Sequence, residues 1–208
     1  MLHTKTVEPG TLSLLKILMT LTSLQQFSLV GGTALALRYG HRSSVDLDLF
    51  FHEKFDHEFI ESELRSVFGN DFDYESGHKQ FGIFCYIQRI KVDIVYFPHK
   101  PIAEFVTEKN IRMYSSADIS AMKIQAILGR AKKKDFWDLY ELLGHYSLQQ
   151  MIDWHKQKYP SQMLAISIPN AISYFTEAED SETPVSFKGQ TWEQIKKGIS
   201  KVVSDYLR

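Results

Sequence analysis

The sequence predicts an α+β protein: a small mixed β-sheet flanked by helices, followed by a helical C-terminal region. Three observations lead there. Short apolar runs bounded by turn residues fill the first half, at residues 27–30, 45–51, 81–88 and 91–97, as strands require. From Asp118 onward the apolar spacing becomes helical. Pro98 and Pro101 fall between the two regimes, where proline is expected to end a sheet. The division is drawn as an α/β core over 1–105 and a helical domain over 106–208.

In chain order, Pro9-Gly10-Thr11 opens a helix over 12–24 with Thr11 as its N-cap. A buried strand over 27–30 is broken by Gly31-Gly32, and one or two helical turns follow, closed by Gly40. The second strand covers 45–51. A helix over 56–68 presents Phe59, Ile60, Leu64, Val67 and Phe68 as its apolar face and stops at Gly69-Asn70. A strand over 72–74 precedes the two runs 81–88 and 91–97, whose tight spacing predicts a hairpin. Helices are then expected over 119–128, 135–143, 148–157, 163–177 and 192–207, with an exposed loop over 179–190.

The totals exclude several classes. The chain has 208 residues, of which 44% are hydrophobic and 24% charged, with a net charge of −1. That is globular composition, and it gives no bulk signal for nucleic-acid binding. Cys85 is the only cysteine, so no disulfide forms within the chain, and its apolar neighbours make it a core residue on a strand. The N-terminus lacks the form of a signal peptide, and no run of about 18 apolar residues is present. A cytoplasmic protein with no membrane partner is expected.

Chemistry concentrates in Leu-Val-Gly-Gly-Thr (29–33) and Val-Asp-Leu-Asp-Leu (45–49). On a strand, side chains alternate between faces, so Asp46 and Asp48 point together while Leu47 and Leu49 enter the core. Asp93, between Val92 and Ile94, has the same pattern. On neighbouring strands these three carboxylates would form one cluster. Their repulsion would raise their pKa values, and a divalent cation such as Mg²⁺ would relieve it. A Gly-Gly turn before a helix offers backbone N–H groups to a phosphate, although alone it is also a common tight turn. Arg42 and Ser44 are candidate phosphate ligands. Lys123, in an apolar helix, is a candidate triphosphate counter-charge. Residues 130–134, Arg-Ala-Lys-Lys-Lys, form the strongest basic run, ambiguous between a solvated turn and a steering patch. Asp135 and Asp138 favour the start of the following helix, with Asp135 as a candidate cap. The eight histidines, His41 and His78 among them, show no ligand spacing and are read as structural or exposed.

Together LVGGTALAL, HRSSVDLDLF, KVDIVYF and AMKIQAILGRAKKKDFWDLYELL resemble the nucleotidyltransferase AbiEii/AbiGii toxin family, of the polymerase-β-type superfamily. The resemblance spans residues 27–143. It implies a minimal nucleotidyltransferase fold, an NTP substrate, two Mg²⁺ ions (or Mn²⁺) and an RNA, tRNA or protein acceptor. It also implies a toxin–antitoxin or abortive-infection setting with a cognate antitoxin as partner. Matched by motif, Asp46, Asp48 and Asp93 are the metal and catalytic acids, and Lys123 is a catalytic lysine. Gly31, Gly32 and Thr33 match the phosphate-contacting turn, and Lys134-Asp135 with Asp138 match the KD-x-x-DL element; with Arg42 and Ser44, read from the residues themselves, Gly31, Gly32, Thr33, Lys134 and Asp135 make up the nucleotide-binding set. The chain departs from the superfamily in having Gly-Gly-Thr where many members have Gly-Ser. Two other readings fit the same residues: a catalytically inactive interaction protein with this fold, and a metal-dependent phosphohydrolase or nuclease.

Overall fold

The architecture is that of a computed structural model, which describes residues 1–74 and 81–208. His78 therefore lies outside the described residues. Seven strands run in the order β3-β4-β5-β2-β1-β7-β6. They are β1 (Ser28–Leu29), β2 (Leu47–Phe51), β3 (Phe72–Asp73), β4 (Gly82–Ile87), β5 (Ile90–Tyr96), β6 (Val106–Glu108) and β7 (Ile111–Met113). Strand β2 pairs parallel with β5 and antiparallel with β1, and β1 pairs parallel with β7, so the sheet is mixed. The predicted β4–β5 hairpin forms, with its turn at Gln88 and Arg89, both at positive φ.

The sheet does not end at Pro98 and Pro101. The hairpin β6–β7 follows them, turning at Lys109-Asn110, both again at positive φ. The division drawn at residue 105 thus falls just before two strands of the same sheet. Three residues per strand give too short a period to announce themselves. One apolar core runs through both halves, from Leu29 and Ile94 in the sheet to Ile124, Trp137 and Ile195 in the helices.

Eight α-helices complete the described chain: α1 (Pro9–Leu18), α2 (Gly31–Tyr39), α3 (His57–Phe68), α4 (Ser116–Arg130), α5 (Lys133–Leu143), α6 (Leu148–Lys158), α7 (Ile168–Ile172) and α8 (Trp192–Tyr206). Several differ from expectation for local reasons. Helix α1 starts earlier, because Pro9 is preorganised for the first helical position. Thr11 is then inside the helix and Glu8 is the N-cap. Helix α1 also stops at Leu18, where the Thr20 hydroxyl takes the Ile17 carbonyl. In α3 only Ile60 and Leu64 are buried, while Phe59 and Val67 are about half exposed. The expected helix over 163–177 shrinks to α7. Pro169 lacks an N–H and its ring clashes with a preceding helical turn, so a helix begins there and cannot run through it. Gly40 caps α2 in the left-handed conformation, as predicted.

The loop between α7 and α8 is docked rather than free. Ser43 N–H donates to the Val185 carbonyl and Phe187 N–H to the His41 carbonyl, each at 2.9 Å. This strap lies alongside the segment that leads into β2.

Candidate active site

The acidic wall follows from strand pairing. Asp48 and Asp93 are direct partners across the parallel β2–β5 ladder. Beneath them Leu47, Leu49, Val92 and Ile94 are fully buried, which fixes the register and turns the acids to the other face. Asp46 precedes β2, and its carbonyl accepts from the Thr33 hydroxyl. Burial, then the neighbouring Asp93 charge, pushes the Asp48 carboxyl up to about 6.

Gly31 sits at φ +69, and a Cβ there would stand 2.7 Å from Asp48 Oδ2. Both facts demand glycine. The start of α2 therefore approaches the acids closely, with its N-terminal N–H groups at the same pocket. That pocket is lined by Gly31, Gly32, Ser44, Asp46, Asp48 and Phe50 on the sheet side. Arg42, Met122, Lys123, Ala126, Arg130, Lys134 and Asp135 line the remainder.

The cationic wall is held by one buried carboxylate. Asp138 Oδ1 accepts from His41 Nε2 and Arg42 Nε, each at 2.7 Å, and Oδ2 accepts from Arg42 Nη2 at 2.7 Å. Lys123 Nζ lies 2.6 Å from Asp138 Oδ2 and 2.9 Å from Asp135 Oδ1. Burial opposes each of these charges, and the opposite charges outweigh it. Asp138 is held well below the ordinary carboxylate range, while Arg42 and Lys123 are raised above their ordinary values.

These contacts revise several expected roles. Arg42 lines the pocket with its guanidinium partly engaged, one N–H on each Nη remaining. Nε and Nη2 are on Asp138, and Nη1 donates to the Ser43 carbonyl at 2.8 Å. Asp135 does not cap α5, whose N-cap is Lys132 with no side-chain bond. It takes Lys123 instead. Thr33 is buried and does not line the pocket; its hydroxyl lies 2.8 Å from Ser44 Oγ and ties α2 to the acidic segment. Of the basic run, Arg130 and Lys134 reach the pocket, whereas Lys133 Nζ donates to the Glu179 carbonyl at 2.7 Å.

Two side chains escaped sequence reasoning, and a third, Asp138, was placed at the start of α5 without its partners. Phe50 lines the pocket, and Lys91 is ion-paired with Asp93. Each lies two residues from a recognised acid on the same strand face, so the period-two rule was signal enough. Asp138 lies one helical turn from Asp135 on the same face, but only its distant partners reveal its role.

Among the described residues no three His, Cys, Asp or Glu side chains already stand around a common ion position. Asp93 is engaged by Lys91, and Lys134 Nζ lies 3.4 Å from Asp46 Oδ2. The donor chemistry nevertheless fits a hard divalent cation. Asp93 Oδ1 is buried without a hydrogen-bond partner among the described residues, and Asp48 carries an unfavourable charge beside it.

The family model described as nucleotidyl transferase AbiEii toxin, type IV toxin–antitoxin system, matches residues 13–205. An uncharacterized protein of Aquifex aeolicus, aq_aa25, is 33% identical over 193 residues, covering 87% of this chain and 88% of its own. The crystal structure of JHP933 from Helicobacter pylori is similar in fold, with a TM-score of 0.59 at 18% identity over 95% of this chain and 92% of that one. MenT4, a nucleotidyltransferase toxin of Mycobacterium tuberculosis, superimposes with a TM-score of 0.54 at 15% identity, covering 93% and 84%.

Proposed function

We infer that this chain, which belongs to the nucleotidyl transferase AbiEii toxin family of type IV toxin–antitoxin systems, moves a nucleotide from an NTP to an acceptor hydroxyl with divalent-cation assistance. The observation that carries this reading is the facing of two walls. Asp48 and Asp93 are paired on one side, and Arg130, Lys134 and the N-terminus of α2 stand on the other, backed by the buried Arg42–Asp138–Lys123–Asp135 ion-pair network. Such a site suits a triphosphate whose α-phosphorus meets an activated oxygen.

The residues that would hold Mg²⁺ are Asp46, Asp48 and Asp93; once bound, the ion would neutralise phosphate charge and acidify the acceptor hydroxyl. The N–H groups of Gly31 and Gly32 bind phosphate oxygens, backed by the dipole of α2. Ser44 Oγ donates at the same rim. Lys134, partly exposed beside Asp46, turns to the phosphates when they arrive. Lys123 and Arg42, held by Asp138 and Asp135, orient their remaining N–H groups without moving, and with Arg130 favour the charge that builds up on the departing pyrophosphate. Where Asp93 serves as base rather than ligand, its Oδ1 accepts the acceptor's proton as the new P–O bond forms and the bond to pyrophosphate breaks. The type IV setting of the family supports a cognate antitoxin as a partner.

The test is incubation with each α-labelled NTP. Label should pass to an acceptor, and chelation of divalent ions or Asp48→Asn should abolish transfer while leaving the circular dichroism spectrum unchanged. Undiminished transfer by Asp48→Asn would refute the reading. Release of nucleotides from RNA without added NTP would favour hydrolysis by the same acids.

A further inference from the structure

The pocket has a polar end and an apolar end. Strand β1 runs antiparallel to β2, so the chain leaving Leu29 for Gly31 heads toward Asp46. Phe50, two residues past Asp48 on the same face, therefore lies at the end away from the Gly31-Gly32 turn. From Phe50 the apolar lining continues outward. Its ring meets Phe97 with 5.3 Å between centroids, and Phe97 lies about 13 Å along the strand direction from Asp93, on the same face. On the facing helix α4, Met122 and Ala126 line the pocket, and Gln125 shares their stripe. All three are half-buried. Phe97 and Gln125 then open onto a second cavity of about 680 Å³, whose far wall is His99, Tyr159 and Pro160. Among the described residues lining it there is no Asp, Glu, Lys or Arg.

We propose that this second cavity seats the base of the NTP, with Phe97 and Tyr159 against its ring and Gln125 donating to its edge. This rests on the transferase reading above. A triphosphate held at Gly31-Gly32 and Lys134 sends its nucleoside toward the other end of the pocket, along Phe50 and the Met122–Ala126 stripe. What lies there must suit a flat, neutral, hydrogen-bonding ring, and the lining does. A phosphate, carboxylate or ammonium group would find no counter-charge, whereas aromatic walls with a few placed polar groups are the usual form of a small-molecule site. Tyr159 and His99 stand with ring centroids 4.7 Å apart, and Phe97 is 6.5 Å from Tyr159. The polar groups are already oriented. Gln125 Oε1 lies 2.9 Å from His155 Nε2. Burial lowers His155 to about 4, so its neutral ring donates to that oxygen and leaves the amide N–H groups of Gln125 for a ligand. His99 is lowered by burial and by the Lys158 charge, and is bonded to the Lys158 backbone. Its neutral ring keeps one nitrogen as an acceptor.

The experiment is calorimetry on the full chain with Mg²⁺ and two kinds of ligand: α,β-methylene NTPs, which cannot transfer, and inorganic tripolyphosphate, which has no base. The NTPs should bind more tightly than tripolyphosphate. Tyr159→Ala should weaken NTP binding about 5- to 150-fold, the range for loss of one base–ring stack, and leave tripolyphosphate binding unchanged, which also shows the variant to be folded. Tyr159→Phe keeps the ring and should bind NTP as the wild type does. Gln125→Glu keeps an oxygen for His155 and removes the amide donor, so NTP binding should weaken about 2- to 10-fold with tripolyphosphate again unchanged. Wild-type NTP affinity in Tyr159→Ala, equal loss of both ligands in the Tyr159→Ala and Gln125→Glu variants, or tripolyphosphate binding as tightly as the NTPs would overturn the base site. If Asp48→Asn still transferred label, the transferase reading would fall instead, and the binding data would stand apart from it.

Discussion

Replacing Asp138 by Asn removes the charge that holds the cationic wall together. The carboxylate is fully buried and receives four polar contacts of 2.6–2.7 Å from His41, Arg42 and Lys123. Lys123 keeps Asp135 as a partner, but Arg42 loses both of its side-chain partners on Asp138. Removing one member of a buried ion pair typically costs about 3–5 kcal/mol, and a residual hydrogen bond to the amide oxygen places this variant toward the lower figure. At roughly 2–4 °C per kcal/mol for a chain of this size, melting should fall by roughly 6–20 °C. The Asp138 carboxyl is held far below its ordinary range. Its contribution is therefore present above the unfolded carboxylate pKa and is lost only as pH falls through the depressed native value. Urea unfolding near neutral pH measures the loss directly. A double-mutant cycle with Arg42→Gln then tests whether the charges act together, with a coupling of about 0.5–3 kcal/mol expected. A midpoint change below about 1 kcal/mol, or strict additivity in the cycle, would refute the assignment.

Gly32→Ala places a Cβ 2.1 Å from Arg42 Nη2 and 3.1 Å from its Cζ, on a guanidinium that cannot retreat from Asp138. A stability loss of about 1–3 kcal/mol and weakened NTP binding are expected by melting and calorimetry, and wild-type values in both would contradict the packing. Two buried groups oppose each other below neutrality. Asp48, raised to about 6, contributes stability that is present below about 4 and lost as pH rises through 6. His155, lowered to about 4 by burial, contributes stability that is present above about 6.5 and lost as pH falls through 4. The Asp48 shift is worth about 3 kcal/mol and that of His155 less after solvent screening, so the two offset each other in part between these limits, and Asp48→Asn should expose a loss toward acid in urea midpoints. A level profile in that variant would count against His155. Cys85 is buried and its thiol is pushed up to about 12, chiefly by burial. Thiol reagents should leave the native chain unlabelled, and rapid labelling without unfolding would place this strand wrongly.

What was readable in the sequence was what local periodicity encodes. Asp46, Asp48 and Asp93 alternate with core residues, so their face and their proximity followed once the strands were drawn. Gly40 and the β4–β5 hairpin were legible from turn chemistry. The hairpin β6–β7 was missed because its strands are three residues long, although Lys109-Asn110 at its tip is a turn signal. The helix over 163–177 was over-extended because apolar spacing was weighed without Pro169. The Arg42–Asp138 pair was not legible, because Asp138 lies 96 residues away and no local rule joins them.

The strap at residues 185–187 gives the chain an order of operations. Its backbone bonds reach back to His41 and Ser43, and Lys123, Asp135 and Asp138 all come after the acids in sequence. A nascent chain that has exposed only its first hundred residues carries the carboxylates without their counter-charges, and like charges then stand together unrelieved. The pocket lining and its ion pairs are complete once the chain has emerged past Asp138, and the strap adds its backbone bonds after residue 187. For a member of a toxin family, the order of synthesis places the acids ahead of the ion-paired wall that faces them.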